Sequence, residues 1–481
     1  MATGSIASRF RSWPLALIGL IALTITIISI SSTTAANPLK GLESVYTPSL
    51  ERMSPMDGDV LDSVTTTQAP AAAGPIRGTP AAPAPTKDPL TVIVPIDSHA
   101  HWATDSYRAA RKSIIQAAAK EVKEAVAGDY SKTLSGGGRY TRGVVVYFDP
   151  KSDKYKTELK AMSLSIAYMR LTQPSHIKTD IVIFAAPSAF DYLHSIGCAE
   201  TQRKSFEDSE RCVIIPYVPL TGRAASDTLG SDPLLQYKFA ESVNVVAELP
   251  DDIYYDLVIR SDMDTFFTPG FSDYIPAPGV TVVGYGGGGY ESKYAMNHMS
   301  WIMTTLGLTD AKIKGLGSTW YGPLKIVKRV SKLSVELMRW LYTQEYTEYD
   351  RQCFCWPEWY WVVTTMYSGY MALHQVGPDK LFFDKIDEVL FDGYSTGAEK
   401  LKPALKHIHC WHTDDFYSKL AHQAGKYKDK DISEYVHMSS REAYAGVLAI
   451  SAERLKEAEF KAMIYDADAI RSKKWVRPLP V

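Results

Sequence analysis

Residues 257–271 read LVIRSDMDTFFTPGF, and the way this stretch is parsed decides the fold. Leu257 to Arg260 read as the end of a buried strand, and Asp262 and Asp264 follow it one residue apart. Two carboxylates that close repel each other, so positive charge belongs beside them, and a divalent cation is the leading candidate. Phe266 and Phe267 then take the chain back into apolar surroundings. A strand that delivers two acids at its mouth fits the ligand edge of an α/β sheet, where crevices lie outside the carboxyl ends of the strands. The plainer parse is a capping or turn pair with no ligand.

Upstream, LTVIVPI (90–96), GVVVYFD (143–149), DIVIFAA (180–186) and CVIIPYV (212–218) are further strand candidates. Helical patterns separate them at 106–127, 155–171, around Phe190, and near 237–246. Uninterrupted apolar strands alternating with helices predict a mostly parallel α/β sheet covered on both faces. Asp149, at the end of the second strand, would then share an edge with Asp262 and Asp264. Downstream, TVVGYGGGGY (281–290) is a strand running into glycines. Pro323 to Tyr342 is an amphipathic helix with Lys325, Lys328, Arg329, Lys332 and Arg339 on its polar positions, read as a solvated face.

The 481 residues are 46% hydrophobic and 11% aromatic, enough for a large core. The formal net charge is −2 with no basic tail or patch, which argues against nucleic acid as a partner. Trp13 to Ile30 is an uncharged apolar run behind Arg9 and Arg11, with no basic residue after it until Lys40. Its length suits a bilayer-spanning helix with the N-terminus inside. The expected layout is a cytosolic tail (1–12), a signal anchor (13–31), a Pro/Ala/Thr-rich stem (32–88), a lumenal domain (89–465) and a C-terminal tail (466–481). The alternative is a signal peptide cleaved near Ala35, giving a secreted protein. The stem, which includes APAAAGPIRGTPAAPAP, cannot bury a core and should be extended. Of five cysteines, Cys198 and Cys212 bracket a polar loop and are the expected disulfide in an oxidising compartment. Cys353, Cys355 and Cys410 remain, and CFC has the wrong spacing for a zinc knuckle.

From about Gly143 to Lys426 the chain resembles the metal-dependent nucleotide-sugar glycosyltransferases of the GT-A fold, commonly tethered in the Golgi as type II membrane proteins. The resemblance is carried by the strand-DMD-aromatic stretch, GLGSTWYGP (315–323), WPEWYWVVTTMYSGYMAL (356–373) and HIHCWHTDDF (407–416). The middle two are similar to segments of protist and algal relatives. The resemblance implies Mn²⁺ or Mg²⁺ held by Asp264, by Asp262 (which touches metal or ribose), and by His409 or His412. If KHIHCW is a strand, His407 and His409 share a face and His412 follows its end.

Tyr147, Asp149 and Arg260 are expected to meet the donor nucleotide, with Asp262. Glu358 follows Pro357 at an expected helix start, among Trp356, Trp359, Tyr360 and Trp361. Partial desolvation there would suit a catalytic base, and a helix-terminal Glu favoured by the macrodipole is the plainer reading. Trp320, Trp356 and Trp359 are candidate stacking faces for an acceptor sugar.

The expectation is therefore a GT-A-like enzyme, anchored in the Golgi or ER, that transfers a sugar from a nucleotide diphosphate to a glycan, glycoprotein or glycolipid. Gly284 to Gly289 fits a dinucleotide fingerprint formally, but it comes late in the sheet and reads as a close-packed or mobile loop. In VPIDSHAHW (94–102), Asp97, His99 and His101 resemble the first metal motif of zinc amidohydrolase barrels, which would require eight βα units. A non-catalytic lumenal binding head is the third reading.

Overall fold

The apolar runs are strands, and they run parallel because a helix or a long connection returns the chain between them. A computed structural model describes residues 102–465 apart from short stretches, the longer being 131–137, 224–228, 285–290, 353–357, 384–390, 396–400, 411–416 and 434–439. The expected anchor, stem and C-terminal tail, strand 90–96, Asp97, His99, His101, residues 285–289, Cys353, Cys355, Trp356 and His412 lie outside the described residues. Among the described residues no helix is long and apolar enough to cross a membrane.

In chain order the strands are β1 (Tyr140–Phe148), β2 (Ile177–Ala185), β3 (Cys212–Pro216), β4 (Leu257–Arg260) and β5 (Thr265–Phe267). They continue with β6 (Thr281–Val283), β7 (Trp320–Pro323), β8 (Leu381–Phe383), β9 (Gly393–Tyr394) and β10 (His407–His409). Seven of them form one sheet in the order β3-β2-β1-β4-β7-β6-β8. β1 pairs in parallel with β2 and β4, and β2 with β3. β7 is antiparallel to both neighbours, β4 and β6, and β6 is parallel to β8. The order turns back at β1, with β2 and β3 on one side and β4 on the other. That is a topological switch point, which opens a crevice at the carboxyl ends of β1 and β4. β5, β10 and β9 form a small second sheet, with β10 antiparallel to β5. This open sheet is not the closed eight-stranded barrel that the Asp97/His99/His101 reading needs.

Alternate residues on each strand face opposite layers. Val145, Val182, Val213 and Val258 pack against one layer of helices: α1 (Asp105–Val126), α3 (Glu241–Ala247), α4 (Lys293–Leu306), α5 (Leu324–Trp340) and α6 (Thr364–Leu373). Val144, Val146, Ile181, Ile183 and Ile259 face the other layer, formed by α2 (Asp153–Arg170), α8 (Arg441–Arg454) and α9 (Glu457–Tyr465). The short α7 (Lys419–Gln423) packs on α2. The N-termini of α1, α4, α7 and α8 are closed by Thr104, Ser292, Ser418 and Ser440, whose hydroxyls accept from amides three residues on.

Two expectations need correction. The basic positions of α5 are a solvated face only in part: Lys325 and Lys332 are exposed, Lys328 pairs with Asp251, and Arg329 and Lys332 both reach Glu121 of α1. Arg339 is buried on Asp232 and Glu336. The helix expected to open at Pro357 begins instead at Thr364, after a turn and a short 3₁₀ segment. Cys198 and Cys212 are bonded as expected, and Cys410 is a buried free thiol.

Candidate functional site

β4 carries two acids to the carboxyl edge of the sheet and then has to turn at once, because β5 belongs to the other sheet. Thr265 makes that turn, its Oγ1 donating to the Asp262 carbonyl at 2.8 Å. Phe266 and Phe267 anchor β5 in the core at 1% and 0% exposure. Antiparallel pairing then sets His409 opposite Thr265, and the Cys410 amide donates to the Asp264 carbonyl at 2.9 Å. The result is a cluster in which one ligand atom from each of Asp262, Asp264 and His409 lies within 4.8 Å of the others.

Two carboxylates and an imidazole are a donor set that suits Mn²⁺ or Mg²⁺, and the residues present fit such an ion. His409 Nε2 stands 3.5 Å from Asp264 Oδ2, and its Nδ1 is 3.4 Å from Ser318 Oγ. His407 and His409 share a strand face, as expected, but do different work. His407 is fully buried, with Nδ1 2.9 Å from Asp392 Oδ1 and Nε2 3.2 Å from Ser261 Oγ. Thr319 Oγ1 also donates to Asp392, at 2.6 Å. This chain of bonds ties β7, Asp392, β10 and the end of β4 together, and so fixes where His409 points.

The acids are answered by the chain's own cations. Arg260 Nη2 donates to Asp262 Oδ1 at 3.0 Å, and its other donors hold Ser242 and the Ser318 carbonyl. Lys419 Nζ, at the start of α7, donates to Asp264 Oδ2. Burial pushes the Asp264 carboxyl up, but Lys419 and His409 outweigh it and hold the group well below the usual carboxylate range. Burial disfavours a charged His409 ring, yet Asp264 beside it pushes the imidazole up to about 9. Behind Lys419 lies Glu158 of α2, 5% exposed, which accepts from Gln423 Nε2 at 2.6 Å. Its burial outweighs the pull of Lys419 and pushes the carboxyl up to about 7.

The other expected residues divide. Asp149 lies just past the end of β1, the strand beside β4, where its Oδ1 accepts from the Lys151 amide at 3.1 Å. Tyr147 is half-buried and packs edge-on against Tyr217 at 5.8 Å. Burial, with Asp149 adding to it, raises its hydroxyl above the ordinary range. Trp320 and Trp359 are not stacking faces, since they are core residues at 1% and 4% exposure. Trp320 Nε1 donates to the Gly317 carbonyl at 3.0 Å, and Trp359 lies flat on Tyr367 at 4.7 Å. Glu358 is exposed instead of desolvated among its aromatic neighbours. Lys419, Glu158 and Asp392 were not anticipated. Glu158 did leave a trace, because it falls on the α2 stripe of Met162, Ser165 and Met169, which is buried throughout.

No curated protein matches the chain. Among solved structures it is similar to mouse xyloside xylosyltransferase 1 in its apo form, at 13% identity and a TM-score of 0.26, over 51% of this chain and 84% of that one. It is also similar to the apo WbbM bifunctional glycosyltransferase, at 11% identity and a TM-score of 0.28, over 57% of this chain and 46% of that one. At such scores the likeness decides neither fold nor function. Residues 138–477 match the family described as "Domain of unknown function (DUF7164)", and the chain belongs to that family.

Proposed function

We propose that the chain is a metal-dependent glycosyltransferase that moves a sugar from a nucleotide-diphosphate donor to a glycan, glycoprotein or glycolipid acceptor. The reading is carried by the convergence of Asp262, Asp264 and His409 at the carboxyl edge of the sheet, beside the switch point. Asp262, Asp264 and His409 would hold Mn²⁺ or Mg²⁺, and the ion would offset charge building on the departing diphosphate. Arg260 holds Asp262 in place from β4, and Asp392 holds β10 through His407. Tyr147 and Asp149, on the neighbouring strand end, are assigned to the base and ribose. Glu358 remains the assigned base for the acceptor hydroxyl if the reaction inverts configuration, and its exposure leaves it open to an incoming acceptor.

Acceptor stacking is reassigned. Among the described residues, Tyr294 and Trp301 on α4 expose 53% and 56% of their surface. The His298 ring lies nearly parallel between them, at 5.8 Å and 5.5 Å. Ser292, which caps α4, donates to the Glu358 carbonyl at 3.2 Å and so links the two acceptor elements. We assign the chain to the Golgi or ER membrane as a type II protein, on the strength of residues 13–31 and the stem.

The test is nucleotide-sugar turnover by the purified full chain with a panel of UDP and GDP sugars, in Mn²⁺ and in EDTA, alongside Asp264→Ala. Metal-dependent release of UDP or GDP that the substitution abolishes is the expected result. A chain that neither turns over any donor nor binds nucleotide in the presence of Mn²⁺ refutes the assignment.

A further inference from the structure

The oxygen that a cation would need from Asp264 already has a tenant. Lys419 Nζ donates to Asp264 Oδ2, the same atom that faces His409 Nε2 at 3.5 Å. A dication seated between Asp262, Asp264 and His409 would sit against that ammonium, and two like charges at such range repel strongly. Lys419 therefore has to leave Oδ2, and a buried ammonium needs another acceptor to go to.

Glu158 is placed to be that acceptor. Gln423 Nε2 donates to Glu158 Oε1 at 2.6 Å, and Gln423 lies one turn along the same short helix from Lys419. Side chains four apart on a helix are neighbours, so the Glu158 carboxyl lies beside the helix face from which Lys419 projects. Its carboxyl is buried, and no other part of the site uses it. Lys419 is the principal influence opposing the rise that burial imposes on it. A protein gains nothing in stability from a buried acid placed so, unless a cation comes to meet it.

We propose that Lys419 gates the cation site, its ammonium resting on Asp264 in the cation-free protein and transferring to Glu158 when a divalent cation binds. The inference rests on the cation reading of Asp262, Asp264 and His409. No bond is made or broken in the step. One lysine exchanges one carboxylate for another, and Glu158 acts as a positioning residue through Lys419.

The test is a Mn²⁺ titration of the purified full chain, read by the electron paramagnetic resonance signal of free Mn²⁺, with no substrate present. Lys419→Met is expected to tighten Mn²⁺ binding by about tenfold or more, the scale on which a nearby like charge acts. Glu158→Gln, which keeps the contact to Gln423, is expected to weaken it by a similar factor. In the Lys419→Met background, Glu158→Gln should change nothing, because its effect passes through the lysine. Unchanged or weaker binding in Lys419→Met overturns the gate, as does an equal effect of Glu158→Gln with and without the lysine. If Lys419→Met melts below the native chain, Lys419→Ala and Glu158→Gln decide by the same criteria. Asp264→Ala separates the two readings. If the native chain binds Mn²⁺ and Asp264→Ala does not, the cation site stands whatever Lys419 does. Absence of binding in both the native chain and Lys419→Met overturns the site and the gate together.

Discussion

Gly284 gives the sharpest test of how the site is held. It follows β6, and its amide is tied to the Thr319 carbonyl at 2.9 Å. A Cβ added there would lie 1.9 Å from Asp392 Oδ2 and 2.4 Å from Asp392 Cγ. Asp392 has little room to yield. It is 2% exposed, its φ is 57°, and its Oδ1 is bonded to His407 and Thr319. Gly284→Ala must therefore strain the backbone or push the carboxylate off its partners. Overpacking costs about 1–3 kcal/mol, and a lost hydrogen bond to a charged group about 1.5–3 more, so roughly 3–5 kcal/mol is expected. Asp392→Ala strands buried His407 and Thr319, at about 3–5 kcal/mol. In the double variant the carboxylate is gone, and the new methyl meets nothing in that side chain nearer than its Cβ, 3.1 Å away. The double variant should then be less damaged than the sum of the singles by about 2–3 kcal/mol. Urea unfolding of the four chains, compared at equal slopes, measures this directly. Costs that add to within about 0.5 kcal/mol would refute the contact.

Three further predictions follow from the same structure. His374 is fully buried, and the Ala311 amide donates to its Nδ1 at 2.9 Å, so its ring is kept neutral. Burial lowers its pKa to about 4, below the unfolded value, so its contribution is intact above pH 6.5 and is lost as pH falls from there toward 4. Relative to His374→Gln, the native chain should lose on the order of 3 kcal/mol between pH 7 and pH 4, and a gap independent of pH would count against this. Arg203 grips Asp180 through two bonds of 2.8 Å at zero exposure, with Tyr255 also donating to the acid. Arg203→Met is expected to cost about 3–5 kcal/mol in non-reducing denaturation, and a cost under 1 kcal/mol would show the pair to be dispensable. Trp301→Ala should raise the acceptor KM about tenfold, leave the donor KM unchanged, and shift stability by less than about 0.5 kcal/mol. An equal rise in both constants would remove α4 from acceptor binding.

The strands were legible because burial on both faces removes polar residues from most of each run, as in Val144 to Val146 and Ile181 to Ile183. The beginnings of β1 and β2 were not, because polar residues there are buried against partners that a sequence does not pair. β1 starts at Tyr140, not Gly143, since Arg142 is buried with its donors on Thr179, Gln173 and the Phe271 and Ser272 carbonyls. β2 likewise opens before Asp180, whose charge Arg203 answers from the loop closed by the disulfide. Within the site, the acids were visible from their spacing after a strand, whereas His409 stood only as one of two late histidines that the resemblance offered, alternation along the strand placing it on one face with His407. The tryptophans misled because aromatic density marks a core as readily as a surface. The clue was the glycine facing one of them: a Cβ at Gly369 would meet Trp320 Cζ2 at 2.4 Å, so Gly369 is the space that Trp320 fills.

Two carboxylates set side by side call for answering positive charge, and the chain itself supplies it. Arg260 meets Asp262, while Lys419 and His409 meet Asp264, so repulsion within the pair does not by itself demand a metal. A dication arriving alone adds charge to a site whose acids are already paired, and it has to compete with seated cations. A dication arriving with a nucleoside diphosphate would bring anionic oxygens as well, which would offset its charge and give Arg260 a new acceptor to face while Lys419 rests on Glu158. Metal and donor should therefore bind as a pair. By linkage, Mn²⁺ should strengthen UDP or GDP binding by the same factor that the nucleotide strengthens Mn²⁺ binding. Calorimetric titration of nucleotide with and without Mn²⁺ reads that factor, expected at about tenfold or more. Equal affinity in both titrations would mean that the nucleotide does not meet the ion. The acids would then serve Arg260 and Lys419 as structural partners, and the transferase assignment would lose the observation that carries it.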